Sequence, residues 1–234
     1  MTVTESRARS SWLMSFADVV TLLITFFIMM LALYKAEVSQ LQKWTQSQME
    51  QSYNEMLDLM LVRDYRYVSL RHDERGIHLI INHPGAFERG GFQVSEGLAE
   101  ELSLMAEKLP QLTLFQVVNN PDYAKVFDQA RSTGFEWRID VTVEGHTDND
   151  PIAPSSFLRN NWFLSTMRAQ NVMQLMYQVS GLPSALFSVA GYGEYREIAP
   201  NDSELNKALN RRVEILITAG FIQSDFELVG AADE

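Results

Sequence analysis

The chain has 234 residues, no cysteine and a formal charge of −11. Disulfides, thiolate chemistry and Cys-ligated metals are thereby excluded, and the acidic balance argues against nucleic acid or an anionic membrane surface as the main partner. The length suits one membrane helix and one soluble domain of ordinary size.

Residues 1–11 are polar, carry no motif and are expected to be disordered; Arg7 and Arg9 lie here. Trp12 to Tyr34, WLMSFADVVTLLITFFIMMLALY, is an apolar run of 23 residues with one charged side chain, Asp18. As a helix it spans about 35 Å, enough for a bilayer core of about 30 Å. The run is too long for a signal-peptide core and no small-residue cleavage site follows, so it is expected to be retained as a transmembrane helix. Lys35 and Glu37 roughly cancel, so Arg7 and Arg9 favour a cytoplasmic N-terminus with the remaining chain beyond the membrane.

A carboxylate inside such a helix costs about 2.5–3.5 kcal/mol on insertion scales. Ser15, Asp18, Thr21 and Thr25 are spaced by three, three and four residues, which gathers them into one polar stripe on an otherwise apolar helix. Such a stripe suits an ion path. A plain anchor, its Asp paired with a partner helix, is the alternative.

Ala36 to Leu61 keeps a helical rhythm through Val38, Leu41, Trp44, Met49, Tyr53, Met56 or Leu57, and Met60, without Gly or Pro. It reads as a continuing stalk or as an amphipathic segment folded onto the membrane surface. From Tyr65 the period changes to alternation around Asp73 to Gly76, as in a β-hairpin. Pro84, Gly85, Gly90 and Gly91 mark a loop. A helix should start at Ser95, bury Leu98, Leu102, Met105 and Leu109, and stop at Pro110.

Leu112 to Val118 is a candidate strand and Pro121 to Arg131 looks weakly helical. RIDVTVEG (Arg138 to Gly145) alternates as a half-buried strand. A loop to Asn160 leads into a helix ending at Gly181, with Pro183 beyond it. Phe187 and Val189 read as a strand, GYGE as a turn and RRVEILIT (Arg211 to Thr218) as a last strand; the acidic tail reads as loose. These elements predict an α/β sandwich, helices on one face of a mixed sheet. The divisions are 1–11 tail, 12–34 membrane helix, 35–63 amphipathic linker, 64–220 α/β domain and 221–234 acidic tail.

Four stretches carry a family resemblance: GHTDNDPI (Gly145 to Ile152), NNWFLSTMRAQNV (Asn160 to Val172), GYGEYR (Gly191 to Arg196) and APNDSELNKALNRRVEI (Ala199 to Ile215). In order and wording they resemble the OmpA-like peptidoglycan-binding domain, in the version found in MotB-type stator subunits. SFADVVTLL (Ser15 to Leu23) resembles the ion-carrying helix of the same MotB/PomB family. The chain departs from the pattern in an insertion, Leu112 to Glu136, and in Glu197 where a Pro commonly stands. Its segment between membrane and domain is short for a flagellar stator, which leaves room for a non-flagellar relative such as the ZorB subunit of the Zorya anti-phage system.

The resemblance implies a B subunit of a proton- or sodium-driven motor, with Asp18, Thr21 and Thr25 carrying the ion beside a polytopic MotA-like subunit. It also implies two copies of the chain in the complex, an inner-membrane location and a plug-like role for residues 36–61. Asp148 and Arg168 would hold the zwitterionic end of diaminopimelate in a wall peptide, with Thr147, Asn161 and Leu164 lining the pocket. A carboxylate suits an ammonium and a planar guanidinium a carboxylate, so the assignment is chemically coherent. Asn161 is also a candidate helix cap. Arg211 and Arg212 read as structural, one to each face of the last strand, one of them pairing with a carboxylate under the pocket. The runner-up function is a passive membrane-tethered wall anchor.

No cofactor is expected beyond the transported H⁺ or Na⁺. Four scattered histidines give no metal-ligand spacing, Asp148-Asn149-Asp150 lacks the Gly and Glu of an EF-hand, and no dinucleotide, Walker or nucleophile-elbow motif is complete. The sequence makes no case for an enzyme.

Overall fold

The computed structural model describes residues 3–88, 91–153 and 156–223. It comprises two compact units, Met1–Trp44 and Thr45–Glu234. A single helix, α1 (Val3–Val62), contributes to both. It passes through the N-terminal segment that sequence assigned to disorder. Within the first unit, Trp12–Leu33 is the one apolar stretch among the described residues long enough to cross a membrane, and none of it is buried.

The second unit begins at Thr45, earlier than the change of period near residue 64 suggests. Met49 and Met56 of α1 are buried in its core, and Tyr53, Leu59 and Met60 pack against that core. The amphipathic rhythm of this stretch therefore has a partner within the soluble unit. Each fully buried apolar side chain of this size contributes about 1.5–3 kcal/mol.

The hairpin follows as expected: β1 (Val68–Asp73) pairs antiparallel with β2 (Gly76–Ile81), Asp73 facing Gly76 across the turn. Next comes α2 (Glu96–Lys108), capped by the Ser95 hydroxyl, which accepts from the Leu98 amide at 3.3 Å. Leu98, Leu102, Met105 and Leu109 are all fully buried.

The expected strand at 112–118 is absent. Leu109–Gln111 and Val117–Asn119 are single 3-10 turns flanking a short helix, α3 (Thr113–Gln116). The reason is tertiary. The N-cap position of α3 is Leu112, which has no side-chain acceptor, and α1 supplies the acceptors instead. The Glu55 carboxylate accepts from the Thr113 amide at 2.8 Å and Ser52 Oγ from the Leu114 amide at 2.9 Å. Two of the first-turn N–H groups that a helix leaves open are thereby satisfied from 58 and 62 residues away.

A 3-10 turn at Pro121–Tyr123 and α4 (Ala124–Ser132) complete the insertion, helical here as expected. The chain then enters β3 (Phe135–Gly145), α5 (Asn161–Ser180), β4 (Phe187–Gly191), α6 (Glu204–Asn210) and β5 (Val213–Gln223). The residue after α5, Gly181, has φ 67°, the left-handed cap that glycine accommodates. Strand order is β1-β2-β5-β3-β4, with β3 and β4 parallel and every other pair antiparallel. β5 extends to Gln223, so residues 221–223 belong to the sheet; the acidic tail beyond them lies outside the described residues.

Alternation divides the sheet into two faces. Ile77, Leu79, Ile81, Val141, Val143, Val213, Ile215 and Ile217 point into the core with Ala169, Val172 and Met176 of α5. On the opposite face His78, Glu144 and Glu214 are buried in a polar layer. His78 bridges Asp73 and Glu214, at 2.9 and 3.3 Å, and Glu214 pairs with Arg212. The architecture is the expected α/β sandwich with a mixed sheet.

Candidate functional site

In the membrane segment, the helix itself fixes the hydroxyls of the polar stripe. Thr21 Oγ1 donates to the carbonyls of Ala17 and Asp18, and Thr25 Oγ1 to those of Thr21 and Leu22, at 2.5–3.0 Å. Their protons are turned toward the backbone. Each hydroxyl oxygen keeps its acceptor capacity.

In the soluble unit, β3 delivers Gly145 against α5: a Cβ there would collide with the Ser165 carbonyl, so only glycine allows this approach. The next residues, His146, Thr147 and Asp148, are all buried. His146 and Thr147 are tied by their amides to the Arg212 and Gly193 carbonyls, both at 2.9 Å. The Thr147 hydroxyl has no hydrogen-bond partner among the described residues. Burial pushes His146 down to about 4, the Arg212 guanidinium pushing the same way and Glu214 opposing both. Its ring stacks on Tyr192, centroids 5.3 Å apart.

Asp148 is engaged on both oxygens. Oδ1 accepts from the Asp150 amide at 3.2 Å, and Oδ2 from Arg211 Nη1 at 2.5 Å. Arg211 is thus a member of the site, and Arg212 pairs with Glu214 on the polar face of the sheet. The two arginines do diverge, but both precede β5 (Val213–Gln223), so strand alternation does not set their division.

Arg168 sits on the second turn of α5. Its Nε donates to the Gly91 carbonyl at 3.0 Å, and its guanidinium lies 5.0 Å from the Phe87 ring centroid. Burial pulls its guanidinium down to about 10; Asp148 counteracts this and Arg211 adds to it. It remains cationic at neutral pH. Arg168 and Arg211 share the wall of a cleft of about 170 Å³ with Phe87, His83 and Glu88. The two guanidiniums face the Glu88 and Asp148 carboxylates, so the cleft presents paired charges of both signs, chemistry that suits a zwitterionic group.

Asn161 does not cap α5. Asn160 does, its side chain accepting from the Phe163 amide at 2.8 Å. Asn161 instead clamps the site: its amide donates to the Asp148 and Asp150 carbonyls and to Glu194 Oε2, at 3.3, 3.0 and 2.6 Å. Leu164 is half-buried in the first turn of α5 and, like Thr147, Asp148 and Asn161, does not line the cleft, whose wall Arg168 alone of the expected residues joins. The loop around Phe87 enters through an isolated bridge, Phe87 to Val94, that no local sequence signal marks. Among the described residues, no group of His, Cys, Asp and Glu is placed to hold a metal ion.

Two family models match the chain. Residues 3–51 match "Membrane MotB of proton-channel complex MotA/MotB", and residues 119–211 match the OmpA family. These segments contain Asp18 and the Asp148, Arg168 and Arg211 cluster respectively. Among sequence relatives, YtxE of Bacillus subtilis, a protein of uncharacterised role, is 26% identical over 91% of this chain and 90% of its own length. Motility protein B of the same organism is 47% identical over 77 residues, 33% of this chain and 29% of that protein. The chain thus spans under a third of that second relative.

Among solved structures, a MotB-like protein of Desulfovibrio vulgaris superposes with TM-score 0.57 at 23% identity, covering 76% of this chain and 94% of that one. The periplasmic domain of Helicobacter pylori MotB gives 0.50 at 23%, covering 67% and 82%. Both are likenesses of fold.

Proposed function

We infer that this chain, a MotB-type protein whose MotA/MotB-type membrane segment precedes an OmpA-like domain, is the B subunit of an ion-driven motor and ties that motor to the cell wall. The observation that carries this is Asp18, the one charged side chain in a 22-residue apolar helix, flanked by Thr21 and Thr25. An acid so costly to insert is retained where it serves an ion path. H⁺ or Na⁺ binds the Asp18 carboxylate, and the threonine lone pairs replace part of the ion's hydration. One charge crossing 100 mV supplies about 2.3 kcal/mol. The chain acts in two copies beside a polytopic MotA-like subunit, single-pass in the inner membrane with its domain in the periplasm.

That domain grips peptidoglycan. Asp148 receives the ammonium, and Arg168 the carboxylate, of the zwitterionic end of diaminopimelate in a wall peptide, with Asn161 holding the Asp148 loop in place. The likeness to Motility protein B favours flagellar rotation over a Zorya-type anti-phage motor.

The test replaces Asp18 by Asn in cells that make the protein at normal level, scoring swimming and, in parallel, phage plating. Swimming should stop. Loss of phage resistance instead would assign the motor to defence, and no change in either would leave a passive tether. In pull-down with purified sacculi, Asp148→Ala and Arg168→Ala should each release the protein from the pellet; undiminished binding would reject the wall-peptide assignment.

A further inference from the structure

At the end of the sheet away from the Asp148 loop, only two strands continue. β2 pairs with β5 from Val213 to Ile217 and β4 with β3 from Val141 to Gly145, so Phe135–Asp140 and Thr218–Gln223 run on together as a ribbon. A ribbon of two strands is marginal in water by itself. Aromatic packing holds this one to α4. Trp137 and Phe221 are cross-strand partners with ring centroids 5.1 Å apart, and Phe127 of α4 meets them at 6.3 and 5.8 Å. Beside the three rings lies a pocket of about 210 Å³, walled also by Val118, Phe135 and the opposed charges of Arg131 and Glu136. One cation and one anion offset each other there, so the pocket suits an apolar group better than an ion. An apolar cavity of about 150 Å³ takes benzene, so this one has room for an aromatic side chain.

The chain itself supplies such a ring. Residues 224–234 lie outside the described residues, and their sequence, SDFELVGAADE, sets Phe226 and Leu228 in alternation with Asp225 and Glu227, the pattern of an extended segment with one buried side and one wet side. Gln223, from which this segment leaves, pairs across the ribbon with Phe135, a wall of the pocket. We propose that Phe226 docks in the pocket beside Phe127, Trp137 and Phe221, so that the acidic end of the chain is a clasp fastening the ribbon to α4. Three residues of extended chain reach about 10 Å, enough for a ring that turns back onto a pocket its own strand helps to form. Tethering favours this occupant over any other. A segment on so short a linker is present at an effective concentration in the millimolar range, which a free partner or a second copy would have to exceed. The clasp stands independently of the ion-carrying and wall-binding roles given above.

Full-length protein in detergent micelles, carrying 4-fluorophenylalanine at position 226, is examined by fluorine NMR beside a free peptide of residues 222–234 labelled at the same position. In the protein the signal should be displaced by the ring currents of Trp137 and Phe221 and shielded from a soluble paramagnetic quencher. A signal that matches the free peptide in shift and in quenching overturns the clasp and leaves the pocket to another occupant. A displaced signal that reverts on dilution seats the tail of a second copy there and overturns it too. Hydrogen exchange reads the consequence. In Phe226→Ala, and in the chain ended after Gln223, the α4 amides should exchange about tenfold faster, the size expected from losing the burial of one large apolar side chain. Wild-type rates in α2 and α5 would report an intact fold in both variants. Equal α4 exchange in wild type and in both variants would mean that the ring fastens nothing, and overturns the clasp.

Discussion

Arg211 holds the carboxylate of Asp148 from the side opposite the Asp150 amide, at 2.5 Å. The bond spans 63 residues and joins the loop after β3 to the turn that leads into the last strand. Removing the guanidinium leaves Oδ2 of a buried anion without its hydrogen-bond partner. Arg211→Ala should therefore weaken binding to sacculi at least tenfold and lower the melting temperature by several degrees, while Arg211→Lys should keep most of the stability and less of the binding. Pelleting assays and thermal melts on the same preparations check this. Unaltered binding in Arg211→Ala would make the residue a strut only.

Glu55→Ala should strip α3 of its cap. The carboxylate accepts from both the amide and the hydroxyl of Thr113, and its loss should cost about 1–2 kcal/mol. Hydrogen exchange at Leu114 to Gln116 should rise, with exchange in β3 and β5 unaffected. Protection equal to wild type would mean that α3 stands without α1.

Acid should destabilise the soluble unit through His146. Its folded-state value of about 4 lies below the ordinary 6.5, so the unfolded chain binds more protons between those limits. Stability from this group is then complete above about pH 6.5 and is lost as pH falls toward 4, on the order of 3 kcal/mol in all. Glu214 adds to the loss at the acid end: burial pushes its carboxyl up, but the Arg212 hydrogen bond and charge hold it below the ordinary value. Urea denaturation across pH 4 to 7 should show the slope, and His146→Phe should flatten its upper part. A wild-type slope in that variant would assign the effect elsewhere.

Asn210 is fully buried and ties four groups: its oxygen accepts from the Ile198 and Ala199 amides, and its nitrogen donates to the Ala199 carbonyl and Asn201 Oδ1. Asn210→Ala should cost about 2–4 kcal/mol by leaving these unpaired. Asn210→Asp retains the acceptor and loses the donor, so chemical denaturation should rank it between wild type and Ala.

The elements that sequence placed well are those specified locally. Ser95, Gly181 and the Asp73 to Gly76 turn state their own geometry within a few residues, and the alternation through Val141 and Val143 sets the buried face of β3. Residues 112–118 went the other way, because their apolar, β-branched content suits a strand and the deciding acceptors sit on α1. The same distance hid the extent of the soluble unit: Met49 and Met56 repeat like any stalk residues, and only the fold gives them a core to enter. At the candidate site, the motifs single out Asp148 and Arg168, and the structure sets both beside Arg211. The seat of Arg168 on Phe87 and Gly91 was not, since that loop arrives through tertiary packing with no motif of its own. Asn161 offered itself as a helix cap, but its neighbour Asn160, equally able to cap, takes that place.

Because α1 is shared between the membrane segment and the core, the place where the chain can be cut is dictated by Met49, Ser52, Glu55 and Met56. A soluble fragment begun at residue 64, where the β pattern starts, would expose the groove these side chains fill and uncap α3. It should be recovered as aggregate. One begun at Thr45 keeps the groove filled and is the fragment to crystallise or to titrate against wall peptides.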